Sequence, residues 1–222
     1  MSKADVIKVA VSQLGYTESP PGSNRVKFWD DYGAGWQGQP WCVAFLWWCF
    51  QHAGESMVFF AGAKTASCGT LFRWYQAQGL TVPVYDVQPG DLVFMNFHGG
   101  TLPEHVGLAE SATSTPLQVT TIEGNTSPGL EGSQENGGCV ARKIRYRTQI
   151  VGVARPKYKE EAVKHTDYEK HWAAKDIDWC IERGLMTGYP DGSFRPDQPV
   201  TRAEMAVIIR RIIEFKEAKG GN

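Results

Sequence analysis

The sequence predicts an α+β domain, helices first and antiparallel sheet second, followed by a small helical unit. Three observations carry this reading. Before Leu80, apolar residues recur at helical spacing; after it they fall in short runs between glycine-bearing turns. Beyond the charged stretch Lys157 to Lys164 the helical period returns. The expected boundaries are 1–156 for the α+β domain, 157–166 for a linker and 167–222 for the helical unit.

In order, Val6, Val9, Ala10 and Leu14 predict an amphipathic helix from Asp5 to Leu14, stopped by Gly15. Ser19-Pro20-Pro21-Gly22 is a loop, and Asp31 to Gly38 is a second one. Pro40-Trp41-Cys42 leads into the apolar run Val43 to Phe50, a buried helix reaching about Ala53 and ended by Gly54. Another helix is expected from Thr70 to Gln78, before Gly79. Pro89-Gly90-Asp91 turns the chain into strand 92–95, and further strands are expected at 106–109, 118–123, 140–144 and 150–154. In the third segment, Trp172, Ile177, Cys180 and Ile181 mark a helix from Tyr168 to Arg183. Thr201 and Glu204 form a capping box for a second, with Met205, Ile208, Ile209 and Ile212 along one stripe.

Composition excludes several classes. A net charge of -1 over 222 residues gives no electrostatic case for nucleic acid. Five cysteines, an odd number with no Cys-x-x-Cys pair, argue against a disulfide framework and a structural zinc site. The longest apolar run, 41–50, is too short to span a bilayer. Residues 1–15 mix polar and apolar groups with no continuous apolar core, so a cytoplasmic product is expected on synthesis.

One constellation carries chemistry. Cys42 opens a helix, whose N-terminal N–H groups and partial positive charge lower a thiol's pKa. His105, just before a strand, is the expected base; His98, in a glycine loop, is its rival. Glu123 or Asn125 is placed to orient the imidazole. The Cys42 backbone N–H, with the Gln39 side chain, is placed to stabilise an oxyanion. Trp41 is a further candidate for substrate contact, and Cys49, Cys68, Cys139 and Cys180 read as structural.

These residues resemble a known family. Ser12-Gln13-Leu14-Gly15-Tyr16, Pro40-Trp41-Cys42, His105-Val106-Gly107 and Glu123-Gly124-Asn125 are similar to the motifs of CHAP cysteine peptidases and amidases, over about residues 4–156. The resemblance implies a papain-like fold and a peptidoglycan hydrolase. Cys42 would be the nucleophile, His105 the base and then acid, Glu123 its orienting group and Asn125 a supporting one. Some phage members hold calcium before the cysteine; Asp30 and Asp31 lack that spacing, so no cofactor and no metal is expected.

Residues 167–216 resemble an S-layer homology (SLH) repeat through His171-Trp172-Ala173, the run from Gly184 to Pro196, and Thr201-Arg202-Ala203-Glu204. That implies an all-α helix-loop-helix that binds secondary cell-wall polysaccharide. Arg202 offers a bidentate donor for an anionic sugar substituent; Trp172 offers either a sugar-binding ring face or a core side chain. Such repeats usually come in threes, so one repeat with a wide apolar stripe predicts a homotrimer. The combined expectation is a phage endolysin, an amidase or endopeptidase released by a holin, without a membrane span. A secreted autolysin and a catalytically inactive adhesion protein are the alternatives.

Overall fold

The computed structural model describes residues 2–114, 117–130, 137–158, 167–189 and 192–220. The chain divides into two compact units, Met1–Lys159 and Glu160–Asn222. Most of the expected linker, residues 159–166, and Pro190-Asp191 of the repeat motif lie outside the described residues.

The first unit mixes helices with antiparallel sheet. Helix α1, Lys3–Val11, starts earlier than the apolar spacing predicts, because Ser2 and Asp5 form a capping box. It also ends earlier, and the Gly15 N–H donates to the Val140 carbonyl instead of continuing a helix. A short α2, Lys27–Asp30, supplies buried Phe28 and Trp29. Helix α3, Cys42–His52, is apolar nearly all round and is accordingly buried. Helix α4, Cys68–Ala77, begins two residues before the expected Thr70, because the Ser67 Oγ accepts from the Thr70 N–H and caps it.

The six strands are β1 (Thr81–Val82), β2 (Leu92–Met95), β3 (His105–Ser114), β4 (Leu117–Thr126), β5 (Cys139–Tyr146) and β6 (Ile150–Ala154). They form one sheet in the order β1-β6-β2-β3-β4-β5, and each adjacent pair is antiparallel. Side chains alternate across a strand, so β2 sends Leu92 and Phe94 into the core shared with α1 and α3. Its Val93 and Met95 join a second cluster with Ala109, Val119 and Val153. Burial on both faces explains why Leu-Val-Phe-Met is continuously apolar.

In the second unit, α5 covers Ala174–Glu182, shorter than the expected Tyr168 to Arg183. Asp167 explains the late start: its carboxylate accepts from the Phe194 and Arg195 N–H groups and ties the entering chain to the loop. Helix α6, Arg202–Gly220, has the expected cap, with Thr201 Oγ1 accepting from the Glu204 N–H at 3.2 Å and Glu204 Oε2 accepting from the Thr201 N–H at 2.7 Å. Tyr168, Ile177 and Phe194 form the centre of this unit, the two rings meeting edge-on at 5.2 Å. Among the described residues, no helix is long and apolar enough to cross a membrane.

Candidate active site

Cys42 is the first residue of α3, and no side chain caps that helix. Its first-turn N–H groups are therefore left to whatever lies at the helix end. His105 is the first residue of β3, paired with Met95 of β2. Its Nε2 lies 3.0 Å from Glu123 Oε2, which leaves Nδ1 for the Cys42 sulfur, on whose charge the ring acts. All three side chains are buried.

Glycine makes this geometry possible. A Cβ on Gly107 would stand 2.7 Å from Glu123 Cγ, so glycine there opens the space that the carboxylate occupies beside β3. A Cβ on Gly124 would stand 2.5 Å from Phe45 Cβ and 2.8 Å from Trp41 Cζ3, so β4 approaches α3 closely only because this residue lacks a side chain.

The electrostatics follow from these contacts. The Cys42 thiol is held well below its ordinary pKa, first by a hydrogen bond from the Cys68 thiol. His105 and the Val43 N–H add to this, and together they overcome burial. Burial opposes charge on His105 as well. The Cys42 sulfur and Glu123 outweigh it and raise the imidazole to about 9. Glu123 is held well below the usual carboxylate range, against burial, by Arg145 and His105. These shifts favour a thiolate beside an imidazolium beside a carboxylate.

Arg145 was not among the residues singled out from the sequence. It is fully buried on β5, and its Nε and Nη2 donate to Glu123 Oε1 at 2.7 Å and Oε2 at 2.6 Å. The Thr121 hydroxyl also donates to the carboxylate. The Phe97 ring is flanked by the Arg145 guanidinium at 4.8 Å and the His105 ring at 6.2 Å. An arginine in a strand reads as a solvated edge charge; only the pairing of β4 with β5 reveals it as a partner of Glu123.

The other expected residues divide. Asn125 is buried beside the site at a register shift between β4 and β5, with φ of 56°. Gln39 is exposed in the loop before α3, its carbonyl accepting from Trp29 Nε1 at 3.2 Å. Trp41 is a correction: it is fully buried and stacks on Phe28 at 5.5 Å, so it has no ring face to offer a substrate. His98 is also not brought to the sulfur; its Nδ1 lies 2.9 Å from Glu104 Oε1 at the surface. Cys68, expected as structural, sits 3.6 Å from Cys42, sulfur to sulfur. In the second unit Trp172 is 88% exposed, which excludes a core role, and Arg202 is exposed at the start of α6.

Residues 33–125 match the CHAP domain and residues 166–206 match the S-layer homology domain. The chain carries a CHAP domain and an SLH domain. A 41-residue stretch is 51% identical to Cell surface glycoprotein 1 of Acetivibrio thermocellus, covering 18% of this chain and 2% of that protein. Outer membrane protein SlpA of Deinococcus radiodurans is 50% identical over 44 residues, 20% of this chain and 4% of its own length. The Cellulosome-anchoring protein of A. thermocellus is 46% identical over 46 residues, 21% of this chain and 10% of its own. The chain thus spans at most a tenth of the length of these three relatives. The crystal structure of Ly7917 matches at a TM-score of 0.44 and 16% identity, over 70% of this chain and 62% of that one, a likeness too loose to argue from. The CHAP match contains Cys42, His105, Glu123 and Asn125; Arg145 lies beyond it.

Proposed function

We propose that the chain is a cysteine peptidase or amidase that cuts an amide bond of peptidoglycan, with Cys42 as nucleophile. The observation that carries this is the buried line Cys42–His105–Glu123, with the thiol pKa lowered and the imidazole pKa raised. The Cys42 thiolate attacks the amide carbonyl carbon. The oxyanion is met by the Cys42 N–H at the uncapped start of α3, with Gln39 as a second donor once substrate is bound. The His105 imidazolium gives its Nδ1 proton to the leaving amine, and a thioester remains. Neutral His105 then draws a proton from water, whose oxygen attacks the thioester and releases the acid and Cys42. Glu123 keeps the ring turned towards sulfur, Arg145 keeps Glu123 ionised and fixed, and Asn125 supports the site.

The SLH domain, an all-α helix-loop-helix in this reading, holds the enzyme on secondary cell-wall polysaccharide. Trp172 offers a ring face and Arg202 a guanidinium, both at the surface. We assign the whole to the endolysin type, acting at the wall after holin-type release, as muramoyl-alanine amidase or stem or cross-bridge endopeptidase. The exposed apolar residues Met205, Ile209, Ile212 and Ile213 of α6 support association of three chains through this unit.

The test is Cys42→Ala in the full chain. It is expected to abolish wall lysis while wall binding persists, and lysis persisting in that variant would sink the assignment. Mass spectrometry of fragments released from purified walls identifies the bond.

A further inference from the structure

We propose that Cys42 and Cys68 together form an oxidant-reactive dithiol site that takes a hydroperoxide: Cys42 is oxidised first, and Cys68 then closes a Cys42–Cys68 disulfide that reversibly silences the enzyme. The proposal rests on the reading of Cys42 as a reactive thiolate.

The two sulfurs are 3.6 Å apart although 26 residues separate them in the chain. Each cysteine is the first residue of a helix of ten residues or more, α3 and α4. A disulfide requires about 2.05 Å between sulfurs, so the gap to close is small enough for side-chain rotation. The residue after Cys68 is Gly69, where an added Cβ would meet nothing closer than Ser67 Oγ at 3.8 Å, so the start of α4 has room to adjust. Cys42 keeps 3% and Cys68 6% of their surface. The remaining cysteines differ. Cys49 is fully buried within α3, Cys139 donates its thiol to the Thr126 carbonyl at 2.9 Å, and Cys180 belongs to the other unit.

The pair is also chemically asymmetric. Cys68 donates a hydrogen bond to the Cys42 sulfur, and that bond together with burial raises the Cys68 pKa. One member is thus an attacking thiolate and the other a protonated thiol held against it. The Cys42 thiolate attacks one peroxide oxygen, the O–O bond breaks, and the departing hydroxide takes the His105 proton to leave as water. Cys42 is now a sulfenic acid. The Cys68 sulfur, giving its proton to His105, attacks the Cys42 sulfur. The S–O bond breaks, and the hydroxide leaves as water with that proton. In sum, two thiols and one peroxide give one disulfide and two waters; sulfur loses two electrons and the peroxide gains them. Without Cys68, further peroxide drives the sulfenic acid to sulfinic acid, which thiols do not reverse.

The experiment treats the reduced full chain with hydrogen peroxide. It then compares wall lysis before and after dithiothreitol, each variant against its own untreated activity, and maps peptides under non-reducing conditions. The parent is expected to lose lysis by about tenfold or more, to yield a linked Cys42–Cys68 peptide, and to recover with dithiothreitol. Cys68→Ser is expected to lose lysis without recovery, with Cys42 found as the sulfinic acid. Absence of the linked peptide in the parent, or equal recovery of parent and Cys68→Ser, overturns the proposal. Should Cys68→Ser fail to fold, the linked peptide in the parent decides alone. Failure of the nucleophile assignment is separately visible as lysis by untreated Cys42→Ala, whatever the peptides show.

Discussion

Glu123 has two carboxylate oxygens and more donors than either could satisfy alone: His105, the Arg145 fork and the Thr121 hydroxyl all converge on it in a buried site. The consequence reaches His105, whose raised pKa sets a pH window. Its folded value of about 9 lies above the ordinary histidine value of about 6.5. The charged ring therefore adds stability that is fully present below about pH 6.5 and lost as pH rises through about 9. Activity follows the same limb, because deprotonated His105 has no proton for the leaving amine: kcat/KM for wall lysis is expected to be level near neutrality and to fall above about pH 9. A profile falling near pH 7 would show that the ring is not held charged. Arg145 gives a second prediction. Arg145→Met leaves Glu123 buried without its strongest partner, a loss of about 3–5 kcal/mol that a urea midpoint would report. At this scale the sequence made Cys42, His105 and Glu123 legible through spacing, because each sits at or near an element's end. Arg145 and the closeness of Cys68 were hidden, since both depend on pairing between segments far apart in the chain. Cys68 did carry one local sign: it follows a serine suited to cap a helix, which places a second thiol at a helix start.

At the scale of elements, the site depends on how closely α3 lies against β4. Gly124→Ala places a methyl group 2.5 Å from Phe45 Cβ, where neither backbone-anchored atom can yield without moving its element. The expected cost is about 1–3 kcal/mol from overpacking, seen as a lower Tm, with lysis reduced because β4 carries Glu123. An unchanged Tm would mean that α3 and β4 separate without strain. The order of elements was legible because period and punctuation are local properties. Helix starts were less so: Ser2 and Ser67 each begin a helix earlier than the apolar pattern indicated, since a cap acts before the first apolar residue. The late start of α5 was hidden for another reason, as Asp167 bonds to Phe194 and Arg195 from far along the chain. Trp41 was misread because a tryptophan beside a nucleophile suits substrate contact as well as it suits packing, and only its stack on Phe28 separates the two.

For the whole molecule, the division into two units predicts that cutting and holding are separable. Trp172→Ala removes an exposed ring with no packing role large enough to unfold its unit. It is expected to weaken co-sedimentation with purified walls and to leave the reactivity of Cys42 towards iodoacetamide unchanged. Assembly is a separate question with its own readout. Ile209 and Ile213 are each 51% exposed and stand four residues apart, hence on one face of α6. If three chains meet there, light scattering gives a mass of three chains for the parent. Ile209→Glu with Ile213→Glu then gives one, because unpaired charges cannot be buried in an apolar seam. Wall binding should fall with the trimer, since three linked sites hold a polymer more tightly than one. A parent mass of one chain across micromolar concentrations refutes the trimer and leaves the hydrolase reading intact, because the residues assigned to catalysis all belong to the first unit.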